Sequence, residues 1–157
     1  MNKFKRLLLK ILLLPVFPAI DALLVPDVGE VLLLSYALDK VVPGNVFLRV
    51  YDNDYTPVEG SVIASFEIAY LDGVGETTPA ELELEGNDWT ISTAVGVTTA
   101  AFAQQTFTFT AASTNYGYYV VNNAKDQVLW AERFSDAPHT IPSGGGTEKI
   151  TVNLIGE

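Results

Sequence analysis

Tyr116–Phe134 constrains the fold of this chain more than any other stretch. It reads Tyr-Gly-Tyr-Tyr-Val-Val, then Asn-Asn-Ala-Lys-Asp-Gln, then Val-Leu-Trp-Ala-Glu-Arg-Phe. Two aromatic and β-branched runs around a polar loop predict a β-hairpin with a long turn. Alternate strand residues share a face, which groups Tyr116, Tyr118 and Val120 against Tyr119 and Val121. In the second arm Val128, Trp130 and Phe134 share a face with Glu132, opposite Leu129, Ala131 and Arg133. Apolar bulk on both faces predicts a hairpin covered on both sides. Trp130 is its expected anchor, and Trp89, Phe107, Phe109, Tyr118 and Phe134 complete the expected core. The stretch holds no catalytic grouping.

The same period of two extends outward from the hairpin. Leu82 and Leu84 alternate with Glu81, Glu83 and Glu85, and beyond a Gly86-Asn87-Asp88 turn Trp89, Ile91, Thr93 and Val95 share a face. Phe107 and Phe109 alternate with Thr106, Thr108 and Thr110. A loose Pro138 to Gly146 connection leads to Ile150, Val152 and Leu154 as a closing strand. Upstream, Val46, Leu48 and Val50 point inward, with Phe47, Arg49 and Tyr51 outward. Residues 58–70 fit both periods and are read as a short helix followed by a strand. About seven short strands separated by turns predict a mainly β fold, an antiparallel β-sandwich of jelly-roll or Ig-like type. Residues 23–157 form this domain, and 1–22 form an arm. A short helix opens the domain, with Asp27 as N-cap and Glu30 three residues later; Val28, Val31, Leu32 and Leu38 make its apolar spacing. No repeat of fixed period occurs.

The net charge of −10 is unevenly placed. Lys3, Lys5, Arg6 and Lys10 give the first twenty residues +4, while the remaining 137 hold 19 acids against five bases, or −14. So acidic a body repels phosphate backbones, and direct nucleic-acid binding is not expected. The arm starts like a secretory signal, but Lys10 interrupts its apolar run, Pro15 and Pro18 break it, and no clean cleavage site follows. It is too short for a membrane-spanning helix, which needs about 20 apolar residues. Lys3, Arg6 and Lys10 instead form one basic stripe, with Leu7, Leu8, Ile11, Leu12 and Leu14 around the rest. Such a surface needs cover: the chain's own sheet, a neighbouring subunit, or a membrane surface. These eight residues are the candidate interface.

Candidate chemistry is sparse. With no cysteine there is no disulfide, thiolate metal site or thiol nucleophile. Asp52 and Asp54, around Asn53, offer oxygens that Ca²⁺ accepts, but the rest of a calcium loop is missing and such residues also favour turns. His139, the only histidine, lies between prolines near Asp136 with no nucleophile motif and is read as an exposed loop residue. Glu81, Glu83 and Glu85 read as a solvated face that discourages edge pairing. Ser143 to Gly146 reads as a flexible linker. No enzyme, cofactor or metal is expected. Tyr116, Tyr118 and Tyr119 suit either packing or the stacking of sugar rings.

Several phrases resemble a known group. Val25-Pro26-Asp27-Val28-Gly29-Glu30, Leu48 to Pro57, Gln105-Thr106-Phe107-Thr108-Phe109, Tyr116-Gly117-Tyr118 and Leu129 to Phe134 occur in that order. From about residue 25 onward the chain resembles a loosely defined group of small, largely uncharacterised tailed-phage virion proteins. That resemblance implies a capsid decoration or cement protein, or a minor head or tail protein. It implies as partners the major capsid protein or neighbouring subunits, further copies of itself, and a place in the virion. It carries over no catalytic residue. The alternative is an exported or cell-surface module that binds carbohydrate.

Overall fold

From Val97 to Gly156 the chain runs out and back along itself. In the computed structural model, which describes residues 24–38, 40, 44–73, 77–94 and 97–156, four strand pairs nest one inside another. Strand β4 (Val97–Ala101) pairs with β11 (Asn153–Gly156), and β5 (Gln105–Phe109) pairs with β10 (Gly146–Ile150). Inside them β6 (Ser113–Asn115) meets β9 (His139–Ile141), and β7 (Gly117–Val121) meets β8 (Val128–Arg133). Thr98 thus lies opposite Gly156, Phe107 opposite Glu148, Thr114 opposite Thr140, and Tyr118 opposite Glu132. One long antiparallel hairpin, broken into short ladders, makes up the C-terminal half. Its tip is held by Asn122, whose side-chain oxygen accepts the Asp126 and Gln127 N–H groups at 3.0 and 3.2 Å. The stretch expected to be a loose linker is a turn, closed by the Gly145 N–H on the Pro142 carbonyl at 2.9 Å.

The earlier part of the chain completes the sheets. Strand β1 (Val46–Tyr51) lies beside β7, with β2 (Glu81–Leu84) outside it, giving the order β2-β1-β7-β8. Strand β3 (Thr90–Ala94) adds to β4 as the edge of a β11-β4-β3 sheet. The four-stranded sheet is covered on both faces. Against one pack Phe102, Phe107, Phe109, Ile141, Ile150 and Val152, which meet Leu48, Val50, Tyr118, Val120 and Trp130. Against the other lies Phe66, stacked on Tyr119 at 4.6 Å and edge-on to Tyr51 at 5.2 Å. The architecture is mainly β, antiparallel and sandwich-like, and among the described residues a short helix, α1 (Asp27–Ala37), precedes it.

The six expected core aromatics pack in one cluster, with Phe107, Phe109, Tyr118 and Trp130 buried and Phe134 half-buried against them. Trp89 is half-buried too, edge-on to Phe102 at 5.2 Å. Its supposed companion Ile91 is exposed, because β3 leaves the core after Trp89. The faces of the hairpin are also corrected. A register shift sets Val120 opposite Trp130 but Val121 opposite Val128. The extra residue puts Leu129 in the same cluster as Trp130 and sends Val128 to the Tyr119 side. Tyr116 sits just before β7 and packs with Tyr51 and Tyr119, not with Tyr118. Tyr51, expected outside, is fully buried in that second cluster. Residues 58–70 form one 3₁₀ turn, Ile63–Ser65, then isolated bridges at Ile68 and Tyr70.

Candidate docking surface

Strand β8 lies at the rim of its sheet, and the N-terminal segment closes that rim. Leu24 and Ala131 exchange backbone hydrogen bonds at 3.1 and 2.8 Å. The chain then turns at Pro26 into α1. Pro26 takes the N-cap position without any side-chain cap, so Asp27 is the first helical residue and not the cap that was expected. Asp27 and Glu30 still suit the positive end of the helix dipole. Gly29 lies so near the Leu129 carbonyl that any β-carbon there would overlap it. That absence of a side chain lets α1 approach β8, and Leu32 enters the core beside it.

The other side of α1 is apolar and bare. Val31, Leu34 and Leu38 are 67%, 63% and 65% exposed, and their i, i+3, i+7 spacing puts them in one stripe. An ordinary surface helix has a polar outer face, so this one is apolar on two sides. Val31 and Leu38 belong to the helix's apolar spacing, but they point outward because Gly29, Leu32 and Tyr36 fill the side that meets the core. Between α1 and the hairpin tip runs a groove of about 640 Å³, bordered by Val31, Ser35, Tyr36, Asn122, Asn123 and Asp126. A smaller cleft of about 340 Å³ lies at the far end of β8 among Leu24, Pro57, Glu132 and Phe134. The candidate interface of Lys3, Arg6, Leu7, Leu8, Lys10, Ile11, Leu12 and Leu14 lies outside the described residues.

No protein-family model, curated protein or solved structure matches the chain.

The remaining candidate groups are engaged internally. Asp54 pairs with Arg133 at 2.7 Å, and Arg133 also donates to the Tyr55 carbonyl at 3.0 Å. Asn53 spans the loop, donating to the Ser65 carbonyl and accepting the Glu67 N–H, each at 3.0 Å. Burial and then the charge of Glu67 push the Asp52 carboxyl above its ordinary value. Asp52 and Asp54 thus belong to a loop that is clamped to β8, and among the described residues no cluster of three or more potential metal ligands forms. Glu81 is not the solvated residue it was read as. It is half-buried and pairs with both Arg49 at 2.6 Å and Lys125. Burial opposes its ionisation, yet those two cations hold its carboxyl below the usual value. Tyr118 and Tyr119 are buried, and Tyr118 donates to Glu132 at 2.5 Å. Neither presents a ring face to a sugar.

His139 departs furthest from expectation. Its ring stacks on Phe134 at 4.3 Å, with Nε2 2.7 Å from Asp136 and Nδ1 3.1 Å from the buried Glu148. It clamps the β8–β9 connection onto β10. Burial lowers its pKa, but the hydrogen bonds and charges of Asp136 and Glu148 outweigh burial and raise it above 6.5. A raised folded-state value means the stabilisation is complete below the unfolded value of about 6.5 and is lost as pH rises through the folded one. Unfolding free energy measured by urea titration is expected to fall as pH rises above about 6.5. The His139→Gln variant should remove that slope; an unchanged slope would show that the clamp is not its source.

Proposed function

We propose that this chain is a structural subunit of a tailed-phage virion, a decoration or cement protein or a minor head or tail protein, which docks on a larger assembly through its N-terminal end. The bare Val31-Leu34-Leu38 stripe carries this reading. Exposed apolar side chains aligned on one helix mark a surface that another protein covers. Directly upstream, the sequence holds a basic, leucine-rich segment in a chain whose body is acidic. The basic residues of that segment favour an acidic partner such as neighbouring shell subunits. The shared motifs favour a virion as that assembly. The histidine and most paired acids serve internal contacts, which suits a protein that carries load and not one that transforms a substrate.

Incorporation into particles tests the proposal. Val31→Glu with Leu34→Glu alters only exposed positions, so the body should stay folded by circular dichroism. Its ratio to the major shell protein in purified particles is expected to fall at least tenfold, and deletion of residues 1–20 should do the same. Full occupancy in both variants would overturn the docking reading.

A further inference from the structure

The sheet edges of this protein are not protected alike. Strand β2 carries the exposed Glu83 at the rim of its sheet, and β8 is closed by Leu24 and α1. Strand β3 has neither device. All five of its residues are exposed, Ile91 by 71%, and among the described residues no strand pairs with its outer side. It is also uncharged. From Trp89 to Ala124 there is no acidic or basic residue, within a chain of net charge −10. An edge of unpaired N–H and C=O groups without charge or proline is a template for another strand.

We propose that β3 pairs with β3 of a second copy, antiparallel about a twofold axis through Ser92. The three-stranded sheet then continues across the axis into six strands. The register that uses the whole strand sets Thr90 opposite Ala94, Ile91 opposite Thr93, and Ser92 opposite itself. A twofold interface needs a surface that complements itself, and these small, uncharged side chains do so without a clash of like charge. Two acidic bodies repel each other elsewhere, so the neutral edge is where they approach at least cost. Five residues bury far less than the about 800 Å² per partner of a standard stable interface. Pairing in dilute solution is therefore weak, and covalent trapping is the suitable probe.

The chain contains no cysteine, which makes the trap clean. Directly opposed residues hold their β-carbons about 4.5–5.5 Å apart, near enough for a disulfide after a small adjustment. On mild oxidation Ser92→Cys is expected to form a covalent dimer at least tenfold faster than Thr108→Cys, an exposed control on β5, at equal protein concentration. Adding Ile91→Lys should slow it. Adding Ile91→Lys and Thr93→Glu together should restore it, because the two new charges face each other across the axis. Equal rates for the two cysteine positions, or no effect of Ile91→Lys, overturns the pairing; so does trapping of Ser92→Cys only onto a different protein. The stripe on α1 belongs to a separate element, so loss of particle occupancy and loss of this trap are independent results.

Discussion

Trp130→Ala is expected to lower the unfolding free energy by about 3–5 kcal/mol, the usual cost of emptying a large aromatic site in a core. The indole is 3% exposed and lies between layers, edge-on to Trp89 at 6.1 Å. Trp89 reaches Phe102 in turn, so Trp130 links β8 to the residue before β3 and, through it, to the residue after β4. A loss of this size is a large part of the total stability of a small domain. Trp130→Phe should cost much less, for a second reason besides size. The buried indole N–H has no hydrogen-bond partner among the described residues, and phenylalanine carries no donor to leave unpaired. Urea unfolding followed by circular dichroism measures both variants. A loss under about 1 kcal/mol for Trp130→Ala would mean that Trp130 does not anchor the body.

The second large effect is expected from a single methyl group. Gly117→Ala would place a β-carbon against the Glu132 carbonyl oxygen and the Tyr51 ring, closer than real β-carbons come to other atoms. The carbonyl belongs to the paired β8 backbone, and Tyr51 is fully buried, so neither neighbour can yield cheaply. Overpacking of this kind costs about 1–3 kcal/mol, occasionally more, and the backbone clash puts Gly117→Ala at the upper end. Gly86→Ala is the control, since among the described residues nothing lies within 4 Å of its added carbon, and it should be close to neutral. Similar unfolding midpoints for the two variants would refute the close-packing argument. Tyr51→Phe in the Gly117→Ala background should recover little, because the carbonyl contact remains.

Much of the β framework was legible because alternation is local. Leu48 with Val50, and Phe107 with Phe109, declare an inward face from their own spacing, and both pairs are buried. Trp130 was legible as an anchor for the same reason. The errors came where one face had two claimants. Tyr51 and Glu81 looked outward in their own strands, yet a second aromatic cluster covers Tyr51, and Arg49 with Lys125 neutralise Glu81. The α1 stripe left a sign in the sequence that went unread. Val31, Leu32, Leu33 and Leu34 in the eleven-residue helix, with Leu38 just after it, are more apolar residues than one buried face requires.

No local pattern announced the nested hairpin or the His139 clamp. Phe107 and Glu148 lie 41 positions apart, and nothing in either strand names its partner. His139 gains its role only when the fold brings Phe134, Asp136 and Glu148 around it. Strand existence and inward faces follow from backbone geometry and side-chain alternation, which act over a few residues. Which strand lies beside which, and whether an outward face meets water or a second layer, is decided by contacts across the whole chain. That is why the bare edge of β3 became visible only in three dimensions, and why the surplus of apolar residues in α1 resolved into an exposed stripe only there.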